Sequence, residues 1–139
     1  GGQLAKAVAA QIEQTEAELQ ASGTADAQAV ARRLAAARQA FLDAVDFMAA
    51  NTKANPNAAF AGSVPYLMLA GNLVAGWQMG RALLVAQQLS SKGQDQAFMQ
   101  AKIATARFYA EHILVKAPAQ RDAIVEGAAS VTALALDAF

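Results

Sequence analysis

At 139 residues the chain fits one compact domain, and a domain of this size buries about 68–70% of its unfolded surface, so its core needs no covalent staple. It contains no cysteine, which excludes disulfides, thiolate metal sites and cysteine nucleophiles. Eleven basic residues balance eleven acidic ones, so the basic surplus of a nucleic-acid binder is missing, and the alternating signs read as solvated helix faces.

Alanine is the commonest residue and proline occurs three times, so long proline-free stretches read as helix. No segment shows the β-branched and aromatic alternation of a strand. The chain opens on Gly1-Gly2 rather than Met, which reads as a fragment or processed chain with the glycines as a remnant. No basic-then-apolar signal segment follows, and a cytoplasmic location is the corresponding expectation.

Leu4, Val8, Ile12, Thr15 and Leu19 form one stripe spaced by threes and fours, and Gly23 is suited to end that first helix. Thr24 or Asp26 can cap a second helix, whose stripe is Val30, Leu34, Ala37, Phe41, Val45 and Met48. This helix runs to about Lys53, on the order of 40 Å, before Asn55-Pro56-Asn57 stops it. Residues 58–62 predict a short turn of helix. Ser63-Val64-Pro65 begins a third helix, with proline in the first turn, and Ser90-Ser91-Lys92-Gly93 closes it. A fourth helix is predicted from about Asp95 to Lys116, with Met99, Ile103, Ala106, Ala110 and Ile113 on one face, until Pro118 interrupts it. The last segment, Ala119 to Ala138, carries Ile124, Ala128, Val131 and Ala135, with a break at Gly127 or Ser130. The expectation is an all-α fold, an up-down helical bundle of four to five helices forming one domain over residues 1–139.

The most apolar stretch, PYLMLAGNLVAGWQMGRALLVAQ from Pro65 to Gln87, has the length of a membrane span. Asn72, Gln78 and Arg81 interrupt it, and Arg81 alone would cost about 2.5–3.5 kcal/mol at a bilayer centre. It therefore reads as a buried central helix, and Gly76 and Gly80, on one face beside Leu73 and Trp77, read as a close-packing contact.

The chemistry-bearing residues are sparse. A di-metal bundle uses Glu-x-x-His, but the one histidine, His112, has only the adjacent Glu111 before it. His112 follows Phe98, Thr105 and Phe108 on one face and reads as a partly buried, hydrogen-bonded side chain. Asp43 with Asp46, and Glu13, Glu16 and Glu18, read as solvated faces, because acid–base work needs burial or a like charge to separate their pKa values. The Arg32-Arg33 pair is too small for a phosphate site, and neither glycine-rich nucleotide loop occurs. No serine or threonine has the context of an activated nucleophile. No catalytic, cofactor-binding or metal residue is assigned. In AKIATARFYAEHIL, residues 101–114, Lys102, Arg107, Tyr109 and Glu111 form a candidate docking surface, and Arg107 can pair with Glu111.

Tyr66-Leu67, Gly71, Gly76-Trp77 and Arg81-Ala82, followed by Lys102 and Thr105-Ala106-Arg107-Phe108-Tyr109, carry a resemblance. In order and spacing they resemble the extra C-terminal domain of a subgroup of acyl-CoA dehydrogenases, the larger flavoproteins that include 3-methylmercaptopropionyl-CoA dehydrogenase-like enzymes. The closing IVEGAASVTALALDAF also fits such a C-terminus. The resemblance implies a parent that oxidises acyl-CoA to enoyl-CoA, with a carboxylate base for the α-proton and FAD accepting the β-hydride. It places those groups in three preceding domains, so no catalytic residue transfers to this chain. The implied role is a non-catalytic piece packing on the remainder of its own polypeptide or at a subunit boundary of a homo-oligomer. A stand-alone interaction module, or a small-ligand bundle with a pocket around Trp77, Phe108 and Tyr109, are the alternatives.

Overall fold

Capping residues set the limits of the first three helices. In the computed structural model, which describes residues 1–139, α1 spans Gln3–Ser22 and ends where Gly23 adopts a φ of 72° and returns its N–H to the Gln20 carbonyl. Thr24 caps α2 (Ala25–Ala54), its Oγ1 accepting from the Ala27 N–H at 3.2 Å. Asn55 then caps the short α3 (Pro56–Ala61). Helix α4 spans Ser63–Ser91 with Pro65 in its first turn, and α5 spans Gln96–His112. A 3₁₀ turn at Leu114–Lys116 leads into α6 (Ala117–Val125), and α7 (Ala128–Val131) and a second 3₁₀ turn at Leu136–Ala138 end the chain. The domain is all-α. Four long helices and the nine-residue α6 carry the bundle, to which α3 and α7 are short additions.

Three details depart from the sequence expectation. The fourth helix ends at His112 rather than Lys116, and Pro118 lies in the first turn of α6 instead of interrupting a helix. The first turn has no intrahelical partner for an N–H, so a residue without one is well suited there. The intervening 3₁₀ turn lets Leu114 drop into the core, where it is 1% exposed. Of the apolar positions in the final segment only Ile124 is buried, while Val131 is 66% exposed. Gly2 holds a φ of 80° at the head of α1, and a Cβ there would meet Val45 Cγ1.

The core also sits elsewhere than expected. Helix α2 packs against α1, α4, α5 and α6 and buries nine residues, among them Val30, Leu34 and Phe41. Helix α4 buries six on one side: Leu69, Leu73, Gly76, Gly80, Leu83 and Ala86. Its other side meets nothing, and Leu67 there is 70% exposed. The central helix is therefore α2. No helix is long and apolar enough to cross a membrane. The two glycines do mark close contacts. A Cβ at Gly76 would lie 2.7 Å from the Leu114 side chain, and one at Gly80 would lie 3.1 Å from Leu19 Cδ1.

Candidate functional site

Most of the charged groups singled out in the sequence hold the bundle together. Glu16, one turn beyond Ile12 on the inner stripe of α1, is 5% exposed rather than solvated. Arg38 of α2 grips it with two bonds, Nε to Oε1 at 2.7 Å and Nη2 to Oε2 at 3.1 Å, while Glu13 approaches at 3.6 Å. The hydrogen bond to Glu16 leads the causes that hold the Arg38 guanidinium above its ordinary pKa. A planar guanidinium matched to both carboxylate oxygens is the arrangement that makes such burial tolerable. The signal was the stripe itself, since positions 12, 16 and 19 share one face.

Asp43 and Asp46 do not act together. Asp43 accepts from Arg121 Nε at 3.2 Å, and Asp46 pairs with Lys6 at 2.7 Å. Arg121 also reaches Asp122 and Glu126, so α6 is clamped to α2 by one guanidinium. Arg32 is exposed and Arg33 half-buried, its Nε without a hydrogen-bond partner.

The four candidate docking residues lie on two flanks of α5. Arg107 bonds Asp26 of α2 and Glu111 of its own helix, both at 3.0 Å. Those two bonds raise its pKa, the hydrogen bond to Asp26 being the largest single cause. On the opposite flank, Tyr109 donates to the Asn72 carbonyl of α4 at 3.0 Å, and burial pushes its phenol pKa up. Lys102 is exposed, its ammonium 5.5 Å from the Phe98 ring centroid. His112 is exposed, not partly buried, and stacks on Phe108 with ring centroids 4.5 Å apart. Ile103, Ala106 and Ala110 mark the buried face of α5, and positions 108 and 112 fall on the opposite face. The rings named for a ligand pocket have separate partners. Trp77 donates to Thr15 Oγ1 at 2.8 Å under the Arg81 guanidinium, Phe108 stacks on His112, and Tyr109 bonds Asn72.

The most apolar hollow is a groove of about 470 Å³ between α4 and α5, lined by Val85, Leu89, Phe98 and Met99 with Arg81 and Lys102 at its edges. No three histidine, aspartate or glutamate side chains converge as a metal site would require.

This geometry, a helical bundle that pairs most of its carboxylates with its own basic side chains, accompanies a clear family match. The description acetyl-CoA dehydrogenase C-terminal like fits residues 4–135. The chain belongs to that family. It is also similar to 3-methylmercaptopropionyl-CoA dehydrogenase of Ruegeria pomeroyi (strain ATCC 700808 / DSM 15171 / DSS-3), with 47% identity over 126 residues. That alignment covers 91% of this chain and 21% of the relative, so the chain spans about a fifth of the length of the protein it matches. The residues of this acetyl-CoA dehydrogenase C-terminal-like domain do not fit FAD. It has no glycine-rich phosphate loop, and the helix start beside the α4/α5 groove is headed by Asp95, whose carboxylate opposes a phosphate.

Proposed function

We propose that the chain is a non-catalytic C-terminal domain of an FAD-dependent acyl-CoA dehydrogenase, packing on the catalytic body of its own polypeptide or at a subunit boundary. The observation that carries the reading is the family match across residues 4–135, joined to a relative of which this chain covers 21%. The chemistry of such an enzyme needs a base beside the α-carbon and a flavin beside the β-carbon. The side chains here are committed otherwise. Glu16 and Asp43 are neutralised by Arg38 and Arg121, and Glu111 by Arg107. In this reading acyl-CoA and FAD belong to the remainder of the polypeptide, the parent is a homo-oligomer in the cytoplasm, and the domain contributes rigidity and buried surface.

The test is a pair of spectra. The 139-residue chain, mixed with FAD and desalted, is expected to show no flavin absorption. The full-length protein is expected to retain flavin and to reduce it on adding an acyl-CoA. Near-stoichiometric flavin on the short chain, or a full-length protein without flavin, would overturn the reading. The stand-alone module is favoured by a single feature, the apolar α4/α5 groove. An open reading frame that starts within a few codons of Gln3 would select it.

A further inference from the structure

The outer side of α4 has no partner within the chain. Leu67, Met68, Val74 and Val85 are 70%, 51%, 42% and 53% exposed. Together with Val64 and Gly71 they lie along one side of the helix, about 30 Å at 1.5 Å per residue, with Gln78 and Arg81 exposed in the eleven-residue interval between Val74 and Val85. Arg81 is the one charge in all of α4. Gly71 has nothing within 4 Å of where a Cβ would stand, which leaves a seat for close approach. Phe60 of α3, 73% exposed, precedes this flank, and the α4/α5 groove continues it at the far end. Monomeric proteins seldom leave apolar patches of this kind uncovered, and the run Val64, Leu67, Gly71 and Val74, spaced by threes and fours, is shaped for another helix.

We propose that this face of α4 is the surface by which the domain docks onto the remainder of its own polypeptide, against an apolar helical face of the catalytic body; the proposal rests on the reading of the chain as part of a longer enzyme. The occupant is selected by linkage. The matched relative has about four-fifths of its length outside the aligned region. A body joined through the chain faces this surface at an effective concentration in the millimolar range, whereas a second copy competes only at its free concentration. The charge pattern agrees, because Arg107 and Glu111 on α5 are already engaged inside the domain, while the stretch of α4 from Val64 to Val74 carries no charge and Arg81 stands beyond it.

Methionine oxidation in the full-length protein tests this without dissecting it. By the exposures in this domain Met68 is the most accessible of the four methionines, since Met48, Met79 and Met99 are half-buried. Docking inverts that order. With dilute peroxide and peptide mass spectrometry, Met68 is expected to oxidise more slowly than Met48 of α2, and about tenfold more slowly than Met68 in a full-length Leu67→Lys/Val74→Lys variant. Both substituted positions are exposed, so the variant keeps its core. Met68 oxidising first in the unmodified protein would overturn the proposal. If acetylation of Lys102 is then found to be blocked, the domain packs on the body through α5 and the proposed function stands without this face; if Lys102 is open as well, both fail. Protection of Met68 that disappears on diluting the protein would assign the face to a second copy and also overturn the proposal.

Discussion

Gly76 sits where two helices nearly touch, and its hydrogen does what no larger group can. Any Cβ there enters the Leu114 side chain, itself 1% exposed and without room to retreat. Gly76→Ala is expected to lower stability by about 1–3 kcal/mol through overpacking. Gly71, on the same helix with open space around it, gives the opposite sign, and Gly71→Ala is expected to stabilise by about 0.5–1 kcal/mol. Urea melts of the two variants, compared with the unmodified chain, check both. Arg38 offers a second contrast. Arg38→Met leaves the Glu16 charge buried and alone, at a cost toward the lower end of the roughly 3–5 kcal/mol typical of breaking a buried pair, since the guanidinium keeps an edge in solvent. Replacing both, as Glu16→Leu/Arg38→Met, is expected to recover most of that loss. The tyrosines set the alkaline limit. Burial raises the phenol pKa of Tyr66 and of Tyr109 above 10.0, so the folded state holds protons that the unfolded chain releases. Their contribution is complete below pH 10 and is lost as pH rises through the folded values. Tyr109→Phe is expected to cost at most about 1 kcal/mol at neutral pH, for the Asn72 bond, and to flatten the decline above pH 10.

At the level of helices, the two longest divide the work unequally. Leu34 of α2 is fully enclosed, and Leu34→Ala is expected to cost about 2–5 kcal/mol. Leu67→Ala on α4 is expected to change the melting of the 139-residue chain little, because that side chain is 70% exposed. Equal losses at both would mean that α4 is covered within the chain. The reading of α2 from sequence was close, because a narrow apolar stripe with polar flanks points one way only. The reading of α4 missed, because a helix apolar all round looks the same whether neighbours in this chain or in the rest of the polypeptide surround it. Glu16 reads as solvated for a related reason. Composition treats a carboxylate as solvated, although position 16 shares the inner stripe of Ile12 and Leu19, and the partner that makes its burial tolerable, Arg38, stands 22 positions along. Pro118 was seen correctly as a boundary but assigned to the wrong side of it. A proline forbids the interior of a helix and welcomes the first turn, and sequence spacing alone does not say which helix it borders.

Over the whole domain, stability is concentrated before residue 126. The residues from Thr132 to Phe139 are all exposed, and Leu136 and Phe139 reach 92%. Removing residues 133–139 is expected to shift stability by no more than about 0.5 kcal/mol, as for surface changes generally. A larger drop in a denaturant melt would show that the tail packs on the bundle. The same architecture carries its own optical reporter. Trp77 is the single tryptophan, its indole N–H tied to Thr15 of α1 and its ring beneath Arg81. The link closes α1 onto α4 across 62 positions of sequence, so an α1 that peels away takes the hydroxyl from the indole and floods the ring with water. Emission from that one ring should therefore move to the red before the helical circular dichroism falls, which separates the loosening of the first helix from the collapse of the other three.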